Sequence, residues 1–132
     1  MPRLVTLFLL LCALAFIYIG IATFHDPRAA LAPVEIVPAS VSAFNEARAN
    51  YGGLQIGIGF FLMAGALLPS LTRSALLMQT LLVGGLAFGR VVSVSVDGVP
   101  NPFMLMLLAL ESTIALLSLA FLLQRGKTPD PR

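Results

Sequence analysis

The sequence predicts an all-α integral membrane protein built as a four-helix bundle, and three observations carry that prediction. Of 132 residues, 58% are hydrophobic and only 11% are charged. Mean hydropathy is +0.97, and a water-soluble fold of this length cannot hide so much apolar surface. The apolar residues gather into four stretches, near 4–24, 47–68, 74–92 and 103–123, each close to the ~20 residues that cross a ~30 Å hydrocarbon core. Residues 1–124 therefore read as one four-span domain and 125–132 as a polar cytoplasmic tail.

The first stretch follows Arg3. It is longer than the ~7–15-residue core of a secretory signal and lacks a clear small-x-small cleavage site, so it reads as a span. Between His25 and Phe44 stand Pro27, Pro33 and Pro38, which forbid one continuous helix and predict a structured loop over the bundle. The second stretch stops at Pro69, where Pro69-Ser70-Leu71-Thr72-Arg73 predicts a tight hairpin with Ser or Thr capping the next helix. The third gives way after Val92 to a connection containing Asp97-Gly98-Val99-Pro100-Asn101-Pro102, a dense turn signal. Beyond Leu123 the residues turn polar and are expected to be disordered. Gly53 with Gly57, and Gly85 with Gly89, have the small-xxx-small spacing that permits close contact between helices, in one chain or between copies.

Positive residues are retained on the cytoplasmic side of a membrane. Arg3, Arg73, Arg125, Lys127 and Arg132 fall at one end of the predicted spans, Arg28, Arg48 and Arg90 at the other. Arg48 and Arg90 lie within or at the rim of helices and count less, so both termini are expected to be cytoplasmic, with the loop after His25 outside. The net charge of +2 arises from few residues, and no Lys/Arg run alternates with aromatics, so nucleic acid is not an expected partner. Cys12 is the sole cysteine and His25 the sole histidine, which predicts neither an internal disulfide nor a cysteine- or histidine-rich metal site. No cofactor is legible.

Function is sought among polar residues in an apolar solvent. An ionisable group at the centre of a span costs roughly 2.5–3.5 kcal/mol on insertion scales, so it normally faces other helices and has a partner. Glu111 lies about eight residues past Phe103, on the order of 12 Å below the outer end of the fourth span. Arg90 and Arg48 are the cations at that end. Arg48, Tyr51 or Gly52, Gln55 and Gly59 recur at three- and four-residue spacing, as do Gln79, Val83, Leu86 and Arg90, so each set shares one face of an α-helix. Two readings fit: an outward-facing ligand pocket formed by Arg48, Tyr51, Gln55, Arg90 and Glu111, or a structural ion-pair network that fixes helix register.

The stretch from Asn45 to Gly57, with its Asn-Glu-x-Arg-x-x-Tyr-Gly-Gly element, followed by Gly89-Arg90, Ser93, Asp97-Gly98, Pro100 and Glu111, resembles a bacterial family of small four-helix membrane proteins described only as a domain of unknown function. The family is similar in layout to the broader DoxX-like membrane proteins. The resemblance implies a bacterial inner-membrane location and supplies no activity, substrate or cofactor. The leading functional expectation is a binding or accessory module. Arg48 and Arg90 would clamp a small lipophilic or anionic ligand, Tyr51 and Gln55 would hydrogen-bond it, and the other partners would be the lipid bilayer and a membrane protein or second copy. The alternative is a membrane-embedded enzyme acting on a quinone, sterol or terpenoid-like substrate with Glu111 as acid or base.

Overall fold

The computed structural model describes residues 2–125, and the elements in it are helical. The expected polar tail lies, apart from Arg125, outside the described residues. Three helices are long and apolar enough to cross a membrane, Arg3–His25, Thr72–Asp97 and Pro102–Gln124. Large apolar side chains such as Leu11, Tyr18, Phe88 and Leu116 stay exposed along them, a surface that suits lipid and not water. The contacts divide the chain into two compact units, split between Leu68 and Pro69.

In the first unit α1 (Pro2–His25) is followed at once by short helical turns. Asp26 caps α2 (Pro27–Leu31), its carboxylate accepting from the backbone N–H groups of Arg28 and Ala29 at 3.0 and 3.1 Å. Pro27, lacking an N–H, takes the first helical position, where none is required. A 3₁₀ turn over Ala32–Val34 ends at Glu35, whose left-handed backbone (φ 59°) stops the helical run. Helix α3 (Val41–Glu46) begins ahead of the expected boundary at Ala47, because the Ser40 hydroxyl accepts from the Ala43 N–H at 3.1 Å and caps it.

From α3 the backbone passes without a break into a π-helix over Ala47–Gly53 and then α4 (Leu54–Leu67). The Leu54 N–H bonds the Ala49 carbonyl, five residues back, so each turn holds about one residue more than in an α-helix. That register interrupts the second apolar stretch and leaves α4 with 14 residues, about 21 Å.

Helix α1 lies against this run at contacts where glycine is required. A Cβ on Gly20 would stand 2.6 Å from the Ile56 side chain and 2.8 Å from the Gly52 carbonyl oxygen. One on Gly59 would stand 2.5 Å from Ile17 and 2.8 Å from the Ala13 carbonyl oxygen. Within the chain the close approaches fall at Gly20, Gly52 and Gly59, and Gly57 has open space around it.

The second unit is a hairpin of α5 (Thr72–Asp97) and α6 (Pro102–Arg125). No side chain caps α5, although Ser70 and Thr72 flank its start; Leu71 occupies the cap position. Helix α5 runs past the expected end at Val92, since Ser95 bonds the Val91 carbonyl and Ser93 donates to the Asp97 carboxylate, which keeps these polar groups satisfied within the helix. Gly98 ends it at φ 100°, a conformation that favours glycine. Asn101 then accepts from the Met104 N–H at 3.0 Å and opens α6, with Pro102 at its first position. Gly84 meets the Ala115 methyl across the hairpin, whereas Gly85 and Gly89 have open space.

Candidate functional site

The five candidate residues divide between the units. Arg90 and Glu111 lie in the second, on α5 and α6, and form a two-bond fork. Arg90 Nε donates to Glu111 Oε2 at 2.6 Å and Nη2 to Oε1 at 2.7 Å. Arg90 Nη1 also lies 3.6 Å from the Met104 sulfur. The side chains retain 22% and 12% exposure, so the pair is largely withdrawn from solvent. Paired hydrogen bonds to an ionised partner are among the stronger polar contacts a protein makes, and the planar guanidinium matches a carboxylate edge to edge. Both carboxylate oxygens of Glu111 are engaged by this one partner.

Gln79, placed by spacing on the Arg90 face, is buried with Thr72, Ala75, Leu76, Val83 and Ala87, and its amide nitrogen and oxygen have no hydrogen-bond partner among the described residues. Leu86, assigned to the same face, is 44% exposed.

Arg48, Tyr51 and Gln55 lie in the first unit, and the π register decides their setting. The wider turn buries Ala47 and Gly52, five apart, in place of an α-helical pair. Of the residues expected to share a face, Gly52 and Gly59 are buried, Arg48 and Gln55 are half-buried and Tyr51 is exposed. Neither Tyr51 nor Gln55 makes a side-chain hydrogen bond among the described residues. Glu46 accepts a hydrogen bond from the Asn50 amide one turn on.

Arg48 is held by two residues outside the candidate set. Its Nε donates to the Phe24 carbonyl at 3.2 Å, satisfying one of the carbonyls left without a partner at the end of α1. Its guanidinium lies 5.7 Å from the centroid of the Phe44 ring, and the Arg28 guanidinium lies 5.1 Å from the same centroid. Each such contact is worth about 0.5–1 kcal/mol when exposed and ~2 when desolvated. Among the described residues neither arginine is paired with a carboxylate.

Beside Phe44 opens a groove of about 770 Å³ lined by Phe24, Val41, Phe44, Asn45, Arg48, Ala49 and Gly53. Its wall is mostly hydrocarbon and its ionisable member is Arg48. Sequence reasoning missed Phe24, Phe44 and Arg28. The available signal was the four-residue spacing from Phe44 to Arg48, which brings an aromatic ring and a cation together once the helical run starts ahead of Ala47, as it does here. Among the described residues no group of three or more His, Cys, Asp or Glu side chains is arranged to hold a metal ion.

A family model described as Domain of unknown function (DUF4345) matches residues 4–122. No curated protein and no solved structure matches the chain.

Proposed function

The chain belongs to the DUF4345 family, a domain of unknown function, and we propose that it is a ligand-binding or accessory membrane protein whose binding site is the groove at Phe24, Phe44 and Arg48. The observation that carries the proposal is the contrast between two arginines. Arg90 is engaged by both oxygens of Glu111, while Arg48 spends one N–H on the Phe24 carbonyl and keeps its terminal N–H groups beside an open apolar groove. A mostly apolar concavity with one or two directed polar groups is the usual form of a small-molecule site. Tyr51 and Gln55 belong to the same helical run but do not line the groove. Arg90 and Glu111 serve the hairpin as a structural pair.

The proposal includes a fourth crossing and the inner-membrane topology. The π-helix and α4 together span Ala47–Leu67, 21 residues and about 30 Å, enough for the hydrocarbon core. Four crossings with Arg3 and Arg73 inside put both termini in the cytoplasm and the groove at the outer end of its helices. An enzyme using Glu111 as acid or base has less support, because both of its oxygens are already engaged by Arg90.

Native mass spectrometry of the chain extracted in mild detergent tests the reading. The wild-type protein is expected to retain a small lipophile, and Ala49→Phe, which fills the groove, is expected to lose it while Glu111→Gln keeps it. Loss in Glu111→Gln with retention in Ala49→Phe would move the site to the ion pair.

A further inference from the structure

Arg28 does not line the groove, but it stands against Phe44, a residue of the groove wall, and the ligand-binding reading alone does not use it. Two guanidiniums attend one Phe44 ring, Arg28 at 5.1 Å and Arg48 at 5.7 Å from its centroid. They come from different elements, α2 and the π-helix, so their approach is made by the fold and not by neighbouring positions on one helix. Like charges brought together in this way repel, and among the described residues no carboxylate is paired with either. The acids of the same segment are engaged elsewhere and not by these guanidiniums: the Asp26 carboxylate caps α2 and that of Glu46 accepts from Asn50, though both keep their charge. Arg28 makes no side-chain hydrogen bond among the described residues, and Arg48 uses only Nε. Each guanidinium therefore has N–H donors left in a geometry suited to a carboxylate or a phosphate. From the cations the groove continues over Phe24, Val41, Ala49 and Gly53, an apolar bed that would repel a small hydrated anion and receive a hydrocarbon chain.

We infer that the groove binds a membrane lipid with an oxyanion headgroup, the headgroup held by Arg28 and Arg48 beside Phe44 and the chain lying along Phe24 and Ala49. The inference rests on the groove being the ligand site and deepens it by naming the ligand's chemistry. Charge complementarity selects the acid, and the apolar bed selects a ligand with a tail. Arg28 and Arg48 supply charge-assisted hydrogen bonds, which distinguish an acid from the alcohol of equal chain length.

The test uses the full chain in nanodiscs of zwitterionic lipid and two photoreactive probes, a diazirine-bearing palmitic acid and the alcohol with the same chain, with cross-links mapped by peptide mass spectrometry. The acid is expected to label the Val41–Gly53 segment about tenfold more than the alcohol, the ratio expected for roughly one charge-assisted bond. Arg28→Gln, which removes no hydrogen bond that the fold uses, is expected to lower acid labelling several-fold and leave alcohol labelling unchanged. Arg28→Gln/Arg48→Gln is expected to bring the two probes level. Arg73→Gln, a charge removed elsewhere, is expected to change neither. Equal labelling of the groove by acid and alcohol in the wild type would overturn the oxyanion inference and leave the groove as a site for neutral lipophiles. No labelling of the groove by either probe would overturn both. An Arg73→Gln effect as large as that of Arg28→Gln would reduce the preference to bulk attraction, and displacement of the acid by inorganic phosphate at matched ionic strength would make the occupant a free anion; each outcome overturns the inference.

Discussion

Arg90 meets Glu111 with two donors against two acceptors, and little of either side chain is exposed. Removing one member of a fully buried pair costs ~3–5 kcal/mol, because a charge is left without its partner. A loss of that order is expected for Arg90→Met or Glu111→Gln alone, and a smaller one where water reaches the pair. The double variant carries no stranded charge and is expected to lose less than the two singles summed, by roughly 1–2 kcal/mol in a thermal-unfolding cycle in detergent. Additive losses would show that the contact contributes nothing to stability. The need for a partner was legible in the sequence because a carboxylate at that depth in an apolar segment demands a cation, but the sequence offered both Arg90 and Arg48, and the fold pairs Glu111 with Arg90. The Phe44 contacts were not legible in the same way. A phenylalanine in an apolar chain has many roles, and only the fold brings Arg28 from α2 to the ring that Arg48 already attends.

Individual helices show why periodicity located three long helices more readily than the second apolar run. α1, α5 and α6 are uninterrupted α-helices whose apolar runs mark them directly. The run from Val41 to Leu67 changes register inside the Asn-Glu-x-Arg-x-x-Tyr-Gly-Gly element, so a rule based on a 3.6-residue turn does not carry through it unchanged. Nothing in residue spacing announces a π turn. The glycines behave likewise: spacing picked Gly53 and Gly57, whereas the backbone approaches fall at Gly20, Gly52 and Gly59. Gly59→Ala sets a methyl within 2.5 Å of Ile17 and 2.8 Å of the Ala13 carbonyl oxygen, and the second of these is backbone that cannot step aside. It is expected to destabilise by about 1–3 kcal/mol, the range for overpacking. Gly57→Ala meets nothing within 4 Å and is expected to be neutral or to stabilise by about 0.5–1 kcal/mol through helix propensity. Equal denaturant midpoints for the two variants would remove the seam between α1 and α4 as a source of stability.

Across the whole molecule, composition points to a membrane protein, and three helices have the length and apolarity to span. The number of crossings is a separate question, because α4 alone is 14 residues long and needs the π-helix to reach across. If the run from Ala47 to Leu67 crosses, Ala32 and Ser70 lie on opposite faces of the membrane. If it does not cross, the two residues share a face. Both are exposed, so a cysteine at either position is open to reagent. The deciding measurement is cysteine labelling in intact cells with a membrane-impermeant maleimide on a Cys12→Ala background. The four-crossing account predicts that Ala32→Cys is modified from outside and Ser70→Cys only after permeabilisation, and modification of both from the same side would contradict it.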